Sequence, residues 1–223
     1  MSVLFVYVLV FFSVDFMLGI PNSEGLRDIE KELNDVLSFG PAHLSLYILT
    51  VGSQYQSYGQ LPGEDWVEKE FLAVSECLRD RGYDHYEVSN FGRPGFYSQH
   101  NLRYWSSQSV AAIGRSATGL LKKRDDLGVR YQWKISGPSY TTEELGYSEL
   151  KLEEVYLKLR TNQGLDINDL ADPLPPPLLQ VIENWKEHKY LDQERPLKLS
   201  ARGYLMLDSL MDDLFRISNI LKF

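Results

Sequence analysis

The feature that most constrains this chain is a hydrophobic period that switches between two and 3.6 residues from Val14 to Phe91. VDFMLGI (Val14 to Ile20) reads as a strand broken at Pro21-Asn22. Leu26, Ile29, Leu33, Val36 and Leu37 then recur at helical spacing, with Asn22 or Ser23 as cap and Gly40-Pro41 as stop. HLSLYILTV (His43 to Val51) alternates as a second strand. Asp65, with Glu68 three residues on, has the capping-box pattern. It opens a helix whose inner face is Val67, Phe71, Val74 and Leu78 and whose stop is Gly82. Tyr86 to Phe91 reads as a third strand. This rhythm predicts right-handed βαβ units on a parallel sheet, an α/β fold that is part of a barrel. Functional residues in such sheets gather at the C-terminal ends of strands. Asp15, Thr50 and the Ser89-Asn90 pair lie on or near those ends.

Beyond Phe91 comes a loop dense in polar and aromatic groups, GRPGFYSQHNLRYW. Val110 to Leu121 reads as a strand plus turn in tight packing, with neither Walker nor dinucleotide spacing. Lys122, Lys123 and Arg124 read as a solvated basic loop, and Val129 to Ile135 as an antiparallel strand near an edge. After Ser139 the pattern turns helical. Thr141 or Thr142 caps a helix running to about Arg160, DPLPPP (Asp172 to Pro177) is a stiff connector, and Leu178 to Leu191 is amphipathic. A short extended piece (Pro196 to Leu199) precedes a final helix from Ala201 to about Leu221. Two domains are expected, 1–138 and 139–223, the second a winged-helix-like module. Its acidic final helix (Asp208, Asp212, Asp213) argues for protein docking or support of the scaffold rather than DNA binding.

A net charge of −8 excludes a broad nucleic-acid surface, which needs clustered Lys and Arg. The single cysteine, Cys77, cannot form an internal disulfide or a multi-thiolate metal site, and fits a reducing, cytoplasmic setting. Val3 to Phe12 is an unbroken apolar run, too short for a membrane span and without the flanks of a signal peptide. It reads as a strand buried on both faces, the alternatives being a signal or anchor segment and a non-native start. Weak peripheral membrane association is the most that it allows.

His85 and Glu87, two apart on a strand, share a face. They suit an acid/base or metal pair, or a hydrogen-bonded histidine on a half-buried strand. His100 sits in a loop, with Tyr104 and Trp105 following. An exposed imidazole beside flat aromatic surface suits an axial ligand of a planar macrocycle; the alternative is a loop histidine bonded to a backbone carbonyl. His43 reads as a strand-start residue and His188 as a solvated helix residue.

VDFMLGIP, GPAHLSLYILT, HYEVSNFGRPG, HNLRYW and LSARGYLMLDSLMDDL occur in order over nearly the whole chain. They resemble successive blocks of the HemW family, the haem chaperones within the oxygen-independent coproporphyrinogen III oxidase-like group of radical S-adenosylmethionine (SAM) proteins. The resemblance implies an incomplete (β/α) barrel followed by a helical C-terminal domain. It implies haem binding at His100, Asn101, Tyr104 and Trp105, with His100 as the iron ligand. It also implies SAM contacts at Asp15, Thr50, Ala117 and Thr118.

Family members carry a CxxxCxxC loop whose thiolates hold a [4Fe–4S] cluster. The chain is expected to start after that loop, truncated at its N-terminus, and where the family reads GxGPGAH it has Ile113-Gly114-Arg115-Ser116-Ala117-Thr118. The leading expectation is a haem-binding chaperone that hands haem to an acceptor protein and is not catalytic alone. The rivals are a coproporphyrinogen-oxidase-like radical oxidoreductase whose cluster part lies outside this chain, and a protein-interaction module. Missing early strands would leave an exposed apolar sheet edge, which favours oligomerisation.

Overall fold

A computed structural model of the chain describes residues 11–221, so the strand expected over Val3 to Phe12 lies, as far as Val10, outside the described residues. The chain divides into two compact units, Met1–His85 with Ser89–Tyr97, and Tyr86–Val88 with Ser98–Phe223.

The first unit begins with β1 (Ser13–Leu18), which buries Phe16 and Leu18 and exposes Asp15 and Met17, the alternation of a half-buried strand. The helix expected from Asn22 or Ser23 starts later, as α1 (Ile29–Leu37). Asn22 is held in the left-handed region (φ 59°), and the cap is Asp28, whose carboxylate accepts from the Lys31 N–H at 3.0 Å. β2 (His43–Ile48) runs parallel to β1, with Ser13 opposite His43 and Leu18 opposite Ile48. In α2 (Glu64–Asp80) the N-cap is Gly63, not Asp65. Asp65 lies in the first turn, where its charge still favours the helix N-terminus. Gly82, at φ 81°, ends the helix as expected.

The single strand expected from Tyr86 to Phe91 is two: β3 (Asp84–Glu87) and β4 (Asn90–Gly92), either side of a turn at Val88 and Ser89. β4 lies antiparallel to β2, with Leu44 opposite Phe91 and Ser45 opposite Asn90. A two-residue link reverses the chain, whereas a parallel neighbour needs a long crossover. The sheet order is β1-β2-β4-β3, with β1 and β2 parallel and β2 and β4 antiparallel, and among the described residues it does not close into a barrel. Phe16, Leu18, Leu44, Leu46 and Phe91 from the strands are buried, as are Leu33 of α1 and Phe71, Val74 and Leu78 of α2. The helices thus cover one face of the sheet.

In the second unit α3 (Gln99–Trp105) precedes an antiparallel meander of β5 (Thr118–Arg124), β6 (Leu127–Trp133) and β7 (Tyr140–Leu145). Four expectations are corrected here. The strand from Val110 starts only at Thr118, Lys122 to Arg124 lie on β5 rather than in a loop, and β6 is central rather than near an edge. Thr141 and Thr142 belong to β7, so the next helix, α4 (Tyr147–Leu159), begins after Gly146. The run YTT is β-branched and aromatic, which suits a pleated surface better than a helix start. Leu120, Leu145 and Leu150 form one buried cluster, so α4 and the meander pack as one body and the division expected at 138/139 falls inside this unit.

The remaining elements are α5 (Pro176–Glu187), an antiparallel pair of β8 (Leu191–Glu194) and β9 (Leu197–Leu199), α6 (Ala201–Leu205) and α7 (Leu207–Arg216). Pro176 occupies the first turn of α5, where its missing N–H costs nothing. The final helix expected over Ala201 to Leu221 is broken at Met206. Trp185, Leu159, Leu165, Leu170, Leu178, Leu197 and Leu214, all fully buried, centre the core.

Candidate functional site: helix α3 and its cleft

His100, Asn101, Tyr104 and Trp105 lie on α3, a helix and not the loop that Gly-Arg-Pro-Gly suggested. The Ser98 hydroxyl caps it, accepting from the Asn101 N–H at 3.3 Å. The helix has two working faces. Gln99, Leu102, Arg103 and Ser106 recur at i, i+3, i+4 and i+7 and line a cleft. His100 and Tyr104, four apart, share the adjoining face, where their rings meet edge-on at 5.2 Å. His100 is exposed, and Asn101, Tyr104 and Trp105 are half-buried.

Two contacts fasten this helix to the elements around it. The Tyr104 hydroxyl donates to the Thr118 carbonyl at 3.1 Å, which brings two of the predicted site residues together. The guanidinium of Arg160, just past α4, sits 4.1 Å above the Trp105 ring. The same guanidinium pairs at 3.3 Å with Glu87, whose side chain is 0% exposed. Glu87 and Arg160 were missed as a pair, because nothing in sequence links positions so far apart. Glu87 takes part in this pair, whereas His85 stacks on Phe91 (4.0 Å) and has its Nδ1 at 3.2 Å from the Ser75 hydroxyl. Their reading as an acid/base or metal pair is therefore replaced by two separate structural roles.

The cleft beside α3 has a volume of about 800 Å³ and falls within the ordinary range of ligand sites. Leu102 and Trp105 supply its apolar part; Arg103, Lys122 and Lys158 supply positive charge, and Asp125 and Glu154 negative charge. The Trp105 indole N–H and the Ser107 hydroxyl are buried there without a hydrogen-bond partner. Burial works against the Lys158 ammonium, but Asp169 (2.8 Å) and Glu154 (2.8 Å) outweigh it and hold its pKa above the ordinary value. Burial likewise opposes ionisation of Glu154, yet Lys158 and Lys151 keep its carboxyl below the usual range.

Ala117 precedes β5, and Thr118, which Tyr104 contacts, is its first residue. Ala117 spends its backbone on Gly114 and Trp133, and Ser116 beside it is held at φ 62°. Thr118 opens β5 and is exposed. In the first unit, Asp15 is mid-strand on β1 rather than at its end, opposite Ser45 of β2. Thr50 follows the end of β2 and is exposed. On the sheet face away from α1 and α2, Ser13, Asp15, His43, Ser45 and Asn90 form a polar cluster by register, with Met17 and Tyr47 at its end. Burial lowers the His43 pKa, against the raising influence of Asp15, and the Ser13 hydroxyl lies 2.8 Å from His43 Nδ1.

An iron–sulfur cluster does not fit the residues present. Cys77 is the one cysteine of the sequence, half-buried in α2 beside Arg81, with its thiol pKa pushed up by burial. Among the described residues no group of three His, Cys, Asp or Glu side chains is placed to hold a metal ion.

Comparison with known proteins agrees with the fold. No family model matches the chain. The heme chaperone HemW of Lactococcus lactis is 30% identical over 69% of this chain and 43% of its own length. HemW of Buchnera aphidicola is 33% identical over 48% of this chain and 29% of its own. The mitochondrial radical S-adenosyl methionine domain-containing protein 1 of Danio rerio is 26% identical over 89% of this chain and 51% of its own. Among solved structures, the radical SAM enzyme coproporphyrinogen III oxidase (HemN) of Escherichia coli superposes with a TM-score of 0.63 at 15% identity, over 91% of this chain and 54% of that one. The chain spans about half the length, or less, of the curated relatives it matches. The ordered sequence blocks, the α/β fold and these relatives together make the chain a HemW-like member of the radical SAM proteins.

Proposed function

We propose that this chain binds haem at α3 and carries it as a chaperone's cargo. The observation that carries the reading is the pairing on one short helix of an exposed imidazole, His100, with a neighbouring cleft lined by Leu102, Trp105 and the cations Arg103 and Lys122. Haem is a flat apolar macrocycle with two carboxylates and an iron that takes imidazole. The cleft offers Trp105 and Leu102 to the macrocycle and Arg103 and Lys122 to the carboxylates. His100 and Arg103 are three apart and so are neighbours on the helix surface. His100 has no protein hydrogen bond among the described residues, which leaves its ring nitrogens for a ligand. The relatives named heme chaperones support the same cargo.

No step of radical chemistry is derived through this chain, because its residues do not fit the cluster. What these residues do is bind and orient: Tyr104 and Trp105 fix the helix, His100 meets the metal, and the cleft takes the carboxylates. Asp15, Thr50, Ala117 and Thr118 remain the proposed SAM contacts, supported by the polar cluster on the sheet face that carries Asp15. The haem acceptor is a second protein.

Adding hemin to the purified protein and recording the Soret band tests the reading. Wild type is expected to give a shifted, saturable band that His100→Ala moves or weakens. Identical spectra would remove His100 from the role.

A further inference from the structure

We propose that the first unit carries a second ligand site, a cleft between the turn preceding α1 and the start of α2, in which Glu70 binds the ammonium or guanidinium end of a small organic cation. The site rests on its own residues and is independent of the haem reading.

Glu70 is 4% exposed, and among the described residues neither of its carboxylate oxygens closes a hydrogen bond. A buried carboxylate in that state is costly and is retained where something pairs with it. The carboxyl lines a cleft of about 500 Å³ with Arg27, Asp28, Glu30, Trp66 and Lys69. Arg27 eases its charge through space, but neither cation of the cleft hydrogen-bonds it among the described residues. Arg27 is spent: its Nε and Nη2 donate to Glu32 at 2.9 and 2.7 Å, and its Nη1 donates to the Met17 carbonyl at 2.7 Å. Lys69 is adjacent in sequence, and neighbouring helical positions do not face each other.

The charge balance selects the ligand. Asp28, Glu30 and Glu70 face Arg27 and Lys69, and Arg27 already serves Glu32, so the cleft repels anions and attracts a cation. Leu26, Ile29 and Ala73 complete the walls, and Leu26 is 82% exposed at the rim. An apolar arm on the cation would cover it. The Trp66 indole, one turn before Glu70 on α2, stands near the carboxyl without closing a hydrogen bond to it. Burial raises the Glu70 pKa, so in the free protein the group is more often neutral than an exposed glutamate is, and a bound cation would return it to the charged form.

Indole signals in ¹H–¹⁵N spectra of the full chain test this, using n-butylguanidinium and n-butylammonium as probes and n-butanol and butyrate as controls. One of the 4 tryptophan indole signals, the one missing in Trp66→Phe, is expected to move saturably with the cations and not with the controls. Glu70→Gln, close to isosteric, should weaken that binding by about tenfold or more, the loss of a charge-assisted hydrogen bond. The absence of a saturable shift in wild type overturns the proposal whether or not the variants fold. So does equal affinity in Glu70→Gln, or an equal response to n-butanol. Tighter binding of Nα-acetylarginine amide than of n-butylguanidinium would make the occupant a peptide side chain and overturn the choice of a free cation. Soret spectra do not enter, so this site and the haem site fail separately.

Discussion

Arg160→Met is the most informative single change in the second unit, because it removes one partner of a buried ion pair and keeps an unbranched apolar stem. Glu87 is 0% exposed and its oxygen lies 3.3 Å from the Arg160 guanidinium, itself 17% exposed. At an effective dielectric of about 20, charges at that distance attract by about 5 kcal/mol. Taking each ion out of water costs several kcal/mol, so the intact pair contributes little net stability. Breaking it is different. With a neutral thioether in its place, Glu87 would stay buried with this partner gone, for which about 3–5 kcal/mol is expected. Loss of the guanidinium over Trp105 adds roughly 0.5–1 kcal/mol. A domain stable by about 5–15 kcal/mol would be brought near its threshold. Urea unfolding followed by tryptophan fluorescence measures the loss, and Glu87→Gln combined with Arg160→Met should recover at least half of it. If the double variant is as unstable as Arg160→Met alone, the buried charge is not the cause and the reasoning fails.

Further expectations follow from single contacts. Gly203 of α6 faces the Tyr190 carbonyl, where an added Cβ would stand 2.1 Å away, so Gly203→Ala should lose about 1–3 kcal/mol in urea unfolding. Glu70 has a folded-state pKa raised by burial above the ordinary 4.5, so it favours the folded state most when protonated. Its contribution is full below that ordinary value and is lost as pH rises through the folded pKa. Wild-type stability should therefore fall across that window relative to Glu70→Gln, and parallel pH profiles would refute it. Tyr104→Phe removes the hydrogen bond to the Thr118 carbonyl and should cost about 1 kcal/mol, read by thermal unfolding, without changing the fold. Burial, together with its donation to Asp84, pushes the Tyr97 pKa up to about 12; ultraviolet titration should find its phenol among the late-ionising ones, with the buried Tyr204 phenol later still, and Tyr97→Phe should remove the step near 12.

Period and punctuation located most elements, and the failures share a cause. β1, β2 and α2 were legible because Phe16, Leu18, Leu44, Leu46, Phe71, Val74 and Leu78 repeat with the period of the element that buries them. α1 was placed too early because Leu26 fits the helical spacing, yet it is 82% exposed in the turn before the cap. β7 was missed because YTTEEL reads equally well as a helix start until β6 offers its edge. α3 was read as a loop because glycine and proline crowd the stretch just before it, although the Ser98 cap was there to be seen. His100, Tyr104 and Trp105 were legible as chemistry through their types and order. The Arg160 stack and the Glu87 pair join residues far apart in sequence, so only the fold supplies them.

That α3 is a helix alters what its side chains can do. A helix of 7 residues is marginal by itself, so its geometry must come from what it touches. Ser98 caps it and donates its N–H to the Tyr86 hydroxyl at 3.2 Å, Tyr104 fastens it to β5, and Arg160 clamps Trp105 at its end. These contacts use the residues at the start and end of the helix. His100 and Arg103, both exposed, are spared. A loop histidine would have to be ordered by its ligand at a cost in conformational entropy. On a tethered helix the backbone cost is already met by folding, and only the imidazole rotamer remains to be fixed when a ligand arrives. The buried ion pair is thus tied to the proposed haem site through Trp105, at the one position where the helix would otherwise fray.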